Sequence, residues 1–145
     1  MQNHEQQSRE NFLKGYNCAQ SVFLAYANEL GFDEITALKL SSSFGGGMGR
    51  LREVCGAVSA MFMIAGLKKG YTENNNDEVK AQHYELIQKL GKEFEKENGS
   101  IICRELLGLD GADNPVPSKR TVKYYAERPC EEFIASACRI IDKML

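Results

Sequence analysis

The residues of this chain best able to do chemistry are its five cysteines, Cys18, Cys55, Cys103, Cys130 and Cys138. Thiolates are nucleophiles and soft metal ligands. An odd number of them in a chain that starts with a polar stretch, Met1 to Ser8, argues against a disulfide framework and for metal binding or thiol chemistry. For any one cysteine, the role of a small buried hydrophobe stays open. Position narrows the choice. Cys18 follows Asn17, a good helix cap; Cys55 opens an apolar stretch; Cys103 lies three residues after Ser100; Cys130 follows Pro129. All four are therefore expected in the first turn of a helix.

A first turn has backbone N–H groups with no intrahelical partner and roughly half a positive charge from the dipole. It holds a thiolate below the free thiol pKa of about 8.5 and donates hydrogen bonds to cluster-bound sulfur. Cys138 differs, falling mid-helix in line with Ile134 and Ile141, and reads as a core residue. There is no Cys-x-x-Cys, which argues against exchange between neighbouring thiols and against a zinc ribbon; no Cys-x-x-Cys-His means no covalent haem. A shared site has to be assembled by the fold.

The elements that must assemble it are helices. Apolar residues recur at helical spacing and no alternating strand is convincing. Helices are expected at Glu5 to Lys14, Cys18 to Leu30 and Glu34 to Ser43, the last with Ile35, Leu38 and Phe44 inward. Others are expected at Val54 to Leu67, Glu78 to Glu97, Ile101 to Leu107 and from Pro129 to Met144. Thr121 to Glu127 has no clear assignment. Gly45-Gly46-Gly47-Met48-Gly49 cannot hold a regular helix and forms a flexible or tightly turned loop. The expected fold is all-α, a single domain over residues 1–145: an irregular or orthogonal bundle of about six or seven helices around one central apolar helix, Val54 to Leu67.

Composition excludes several classes. The chain is 43% hydrophobic and 26% charged, with a net charge of −2. No run of lysine or arginine forms a stripe, so nucleic acid is not an expected partner. The longest apolar stretch is shorter than the roughly 20 residues of a membrane span. A cytoplasmic protein is expected. The glycine run is no phosphate loop, because no Lys-Ser or Lys-Thr follows it. His4 falls in a mobile terminus and His83 on a surface. Glu53, Arg50 and Arg52 lie close to Cys55 in sequence; a solvated acid and ordinary surface arginines are the plainer readings. Met48, Met61 and Met63 suit core packing.

Four segments occur in an order that resembles a known family: Asn17-Cys18-Ala19-Gln20, Phe44-Gly45-Gly46-Gly47-Met48-Gly49, Val54-Cys55-Gly56-Ala57 and Cys103-Arg104-Glu105-Leu106-Leu107-Gly108. The sequence resembles the redox-active proteins named for their C_GCAxxG_C_C pattern, small helical proteins with four characteristic cysteines. The resemblance runs from about Tyr16 to the C-terminal helix and puts the family cysteines at Cys18, Cys55, Cys103 and Cys130, leaving Cys138 without a counterpart. The family's final glycine in Cys-Gly-Ala-x-x-Gly is Ala60 here. Similarity of members to the non-haem part of split-Soret cytochromes implies a cysteine-held iron–sulfur centre and a homodimer.

The favoured expectation is a redox-active protein with an iron–sulfur cluster on Cys18, Cys55, Cys103 and Cys130, serving electron transfer to an unknown redox partner or redox sensing. A thiol–disulfide or peroxide-handling enzyme is the alternative, with Cys55 as the reactive thiolate. Structural zinc on the same four cysteines is a third reading, and a helical scaffold with inert thiols a fourth.

Overall fold

The computed structural model describes residues 3–145. Among them, eight helices form: α1 (His4–Leu13), α2 (Cys18–Ala27), α3 (Glu34–Ser42), α4 (Gly56–Lys69), α5 (Asp77–Asn98), α6 (Cys103–Leu107), α7 (Val122–Glu127) and α8 (Cys130–Met144). The fold is all-α, as expected. One helix more than expected is present, because Thr121 caps the unassigned stretch by accepting a hydrogen bond from the Tyr124 N–H. No helix of the described residues is long and apolar enough to cross a membrane.

Local signals start most of these helices. Asn17 accepts from the Gln20 N–H while the Gln20 side chain accepts from the Asn17 N–H, a reciprocal cap for α2. Asp33 and Asn76 cap α3 and α5 in the simpler one-way form. Gly99 ends α5 in a left-handed conformation.

α2 and α4 pack against each other at the centre, α1 and α8 close one side, and α5 lies against α4 and α8. Phe12, Val22, Phe23, Tyr26, Val58, Met61, Ile64, Leu90, Phe94 and Ile134 are fully buried between them. Each such side chain contributes about 1.5–3 kcal/mol of burial. Ala60 is also fully buried. The Tyr26 hydroxyl keeps its hydrogen bonds in this setting, donating to Asp142 at 2.9 Å.

Two expectations are corrected. α3 turns Ala37 and Ser41 inward, with Leu38 and Phe44 half-buried, whereas Ile35 is 66% exposed; small residues let α3 approach α2 closely. His4 is not in a loose terminus. It opens α1, stacks on Tyr26 at 3.9 Å and bridges Glu29 and Asp142. His83 is half-buried beside Tyr71.

α4 begins at Gly56, two residues later than the apolar pattern suggests, and α6 begins at Cys103, not Ile101. The reason is one antiparallel bridge between Val54 and Ile102, which draws both residues out of helical conformation. Gly56 then passes so close to the turn before α4 and to α2 that a Cβ would sit 2.8 Å from the Phe44 carbonyl oxygen and 3.0 Å from the Ala19 nitrogen. Gly66, on the exposed side of the same helix, has open space around it. Opposite outcomes follow for the same substitution. Gly56→Ala should lower stability by about 1–3 kcal/mol through overpacking, and Gly66→Ala should raise it by roughly 0.4–1 kcal/mol. Denaturant midpoints of the two variants check both signs.

Candidate functional site

Each of the four cysteines sits at the start of a helix. Cys18 is the first residue of α2, Cys103 of α6 and Cys130 of α8, while Cys55 caps α4. All four line one cavity of about 190 Å³. Cys55, Cys103 and Cys130 are buried and Cys18 is partly buried. Cys138 lies outside this group and is fully buried in the core under α8.

Backbone pairing positions two of the sulfurs. The Cys55 N–H donates to the Ile101 carbonyl at 2.8 Å and the Cys103 N–H to the Glu53 carbonyl at 2.6 Å, on either side of the Val54–Ile102 bridge. The other two are delivered by core packing, since α2 and α8 both lie against α4. The glycine run makes one wall. Gly46 and Gly47 take left-handed φ of 66° and 68°, and a Cβ on Gly47 would meet the Cys103 Cβ at 2.6 Å. A Cβ on Gly45 would overlap the Asn17 side chain at 2.3 Å. The expected loop is tightly turned, and glycine is required because cysteine and cap lie directly against its backbone.

Four arginines complete the lining: Arg50, Arg52, Arg120 and Arg128. Arg52 is not the surface residue expected from its neighbourhood; it is 4% exposed. Its Nη1 donates to the Cys103 sulfur at 3.6 Å and its Nη2 to Asp113 at 3.1 Å, and its buried Nε has no partner. Arg50 also pairs with Asp113, at 3.2 Å. The Arg52 guanidinium, with Arg50 beside it, holds the Asp113 carboxyl below the usual range. Arg120 donates to the Phe12 and Tyr16 carbonyls and lies over the Phe12 ring at 4.3 Å. Sequence reasoning missed Arg120 and Arg128, and no local signal marks them. Glu53 is exposed and pairs with Arg104 at 3.0 Å, which leaves the plain reading of that acid in place.

The thiols are not equivalent. The Cys18 S–H donates toward the Cys130 sulfur, and Arg128, Arg120 and Arg52 add positive potential; against the cost of burial these hold Cys130 down to about 7. Cys18, the donor of that bond, is pushed well up, with burial adding to the effect. Cys55 was the reactive thiolate expected under the thiol-enzyme alternative, and its surroundings oppose that role. The N–H groups of Ala57 and Val58 do point at its sulfur, but burial outweighs them and pushes the thiol up to about 12. Burial also raises Cys103, opposed by Arg52. A helix start lowers a thiol pKa only where desolvation does not exceed it.

Among the described residues, no three His, Cys, Asp or Glu side chains gather closely enough to hold one metal ion.

In the reduced, metal-free chain, iodoacetamide should alkylate Cys130 first. The rate depends on the thiolate, so it should rise through about pH 7 and level off above it. Cys18→Ala removes the donor and should move that midpoint upward. Peptide mapping across pH reads both effects, and first labelling at Cys55 would contradict the order.

No curated protein and no solved structure matched the chain in the comparisons made. One family did, described as "Putative redox-active protein (C_GCAxxG_C_C)", over residues 16–144. That range holds all four cysteines of the cavity and nearly the whole sequence, and the chain belongs to this family.

Proposed function

We propose that the cavity holds an iron–sulfur cluster on Cys18, Cys55, Cys103 and Cys130, and that the chain uses it for electron transfer or redox sensing. The observation that carries this reading is the arrangement of the sulfurs: four thiols from four helix starts face a common cavity of about 190 Å³, yet no three are close enough for a single ion. Tetrahedral zinc, with Zn–S bonds near 2.3 Å, needs its thiolates about 3.8 Å apart. A cluster of several atoms spreads its ligands more widely. The lining fits in other respects. A cluster on four thiolates is an anion, and four guanidiniums border the space, one with a buried, unpartnered Nε. Gly56 and Gly47, without side chains, let backbone lie directly against Cys18 and Cys103.

When bound, the cluster supplies one-electron chemistry, which thiols alone do poorly. The chain's own residues do the rest. Ala57 and Val58 direct N–H groups at the Cys55 sulfur, and such bonds raise a cluster's reduction potential. The buried positions of Cys55, Cys103 and Cys130 keep bulk water from the ligands. Pro117 is exposed at the rim of the cavity, the side open to a redox partner. Ligand thiols of this kind persist in a reducing compartment, which suits a cytoplasmic protein.

A second reading has a specific observation in its favour. Cys130 near pH 7 and Cys18 beside it are an attacking and a resolving thiol for disulfide exchange, with Cys130 in the role first given to Cys55.

Anaerobic purification, followed by iron, sulfide and zinc analysis with a visible spectrum, separates the readings. The cluster reading expects iron and acid-labile sulfide together with broad visible absorption. These should be lost in Cys→Ser variants at 18, 55, 103 and 130 and retained in Cys138→Ser. Zinc without iron, or a metal-free chain with a Cys18–Cys130 disulfide, would overturn it.

A further inference from the structure

One guanidinium touches both the thiol cavity and the surface strap that covers it. The strap is the stretch between α6 and α7, residues 108–121, which has no regular secondary structure. Connections of this length without structure of their own are uncommon and usually functional. Pro117, Ser118 and Arg120 of the strap line the cavity. It is fixed at its middle: the Asp113 carboxylate accepts from Arg52 at 3.1 Å and pairs with Arg50 at 3.2 Å, the Asp113 N–H donates to the Arg50 carbonyl at 2.9 Å, and Arg50 Nε donates to the Asn114 carbonyl at 2.7 Å.

Arg52 is the inner member of this fastening. Its side chain is 5% exposed, its Nη1 lies 3.6 Å from the Cys103 sulfur, and its backbone is held in the left-handed region at a φ of 60°. A non-glycine residue kept there costs about 1–3 kcal/mol, so the surrounding structure must enforce it. The carbonyl of Arg52 accepts from the Arg104 N–H at 3.1 Å and from Arg104 Nη1 at 3.2 Å, which ties it to the helix that begins with Cys103. The guanidinium is thus set between a sulfur inside and a carboxylate outside, with its Nε still free of any partner.

We propose that Arg52 sets the reduction potential of the site and that Asp113 opposes it, so that the charge of the site and the attachment of the strap are coupled through this one side chain. The inference rests on the cluster reading above. Reduction adds one electron, taken from a one-electron donor, to an already anionic site; no bond within the chain forms or breaks. A positive charge beside the Cys103 sulfur favours that added electron, and a negative charge beyond the guanidinium offsets it. Linkage makes the effect reciprocal: if Asp113 lowers the potential, reduction must weaken the hold of Asp113 on the arginines.

The test is a dithionite titration of the iron-loaded full-length chain in wild-type, Arg52→Gln, Arg52→Lys and Asp113→Asn forms. Arg52→Gln should make reduction less favourable by about tenfold, which is 59 mV for a one-electron couple. Asp113→Asn should shift the potential the opposite way, and Arg52→Lys, which keeps the charge, should move it least. Opposite signs distinguish this from general loosening, which would move both variants in the same direction. A second readout needs no iron. In the metal-free chain, Asp113→Asn and Arg52→Gln should both hasten amide hydrogen exchange in residues 108–121, because both break the fastening. Iron-loaded variants with unchanged or same-sign potentials would overturn the role of Arg52 and Asp113 and leave the cluster reading intact. Unchanged exchange in both variants would overturn the fastening. Failure of the wild type to take up iron and sulfide would overturn the cluster reading and the potential-setting role with it.

Discussion

The site depends on a short backbone pairing between Glu53–Cys55 and Ile101–Cys103. Its hydrogen bonds, from the Cys55 N–H to Ile101 and from the Cys103 N–H to Glu53, join two chain segments separated by the whole of α4 and α5. Each contributes only about 0.5–1.5 kcal/mol net. Their geometric effect is larger. They end the extended segments at Cys55 and Cys103, start two helices there, and so fix two sulfurs by main chain instead of by side-chain packing. Gly56, with no room for a Cβ, brings the start of α4 against the start of α2, where Cys18 lies. Pro129 then opens α8 with Cys130 on the same side.

The turn before α4 shows what this convergence costs. Gly46, Gly47, Met48, Gly49, Arg50 and Arg52 all have positive φ. Three of these are not glycine, and each stores about 1–3 kcal/mol of strain. Much of the strain lies in the cavity wall and is held by polar contacts: Arg52 with Cys103 and Asp113, and the Glu53 N–H with the Gly47 carbonyl at 2.9 Å. A wall of glycine backbone and guanidinium groups gives an enclosed, positively charged space beside the thiols, of which Cys130 alone is lowered. Cys130 responds to that field because it also accepts a hydrogen bond; Cys55, with two backbone donors of its own, does not overcome its burial.

Much of this was legible in the sequence where the cause is local. Asn17, Asp33 and Asn76 announce their helices because a cap acts within three residues. For the same reason the helix-start positions of the four cysteines could be read, to within the shift of α4 and α6. What was not legible depends on distant partners. Nothing in Val54 or Ile102 signals a bridge across a third of the chain. Arg120 and Arg128 look like ordinary surface cations until α7 and the strap fold over the cavity. The choice between Cys55 and Cys130 turns on desolvation, and depth below the surface is not a property of a spacing. Ile35 of α3 was misread as inward because it is large and apolar, whereas the close approach to α2 selected Ala37 and Ser41.

The central claim is that the four sulfurs are ligands of one polynuclear centre. Diffraction from crystals grown anaerobically, with data on both sides of the iron absorption edge, tests it most directly. A compact group of iron peaks inside the cavity, bonded to Cys18, Cys55, Cys103 and Cys130, is the expected result. An iron-free cavity in a protein prepared with iron and sulfide, or a single metal peak bonded to only some of the four, would contradict it.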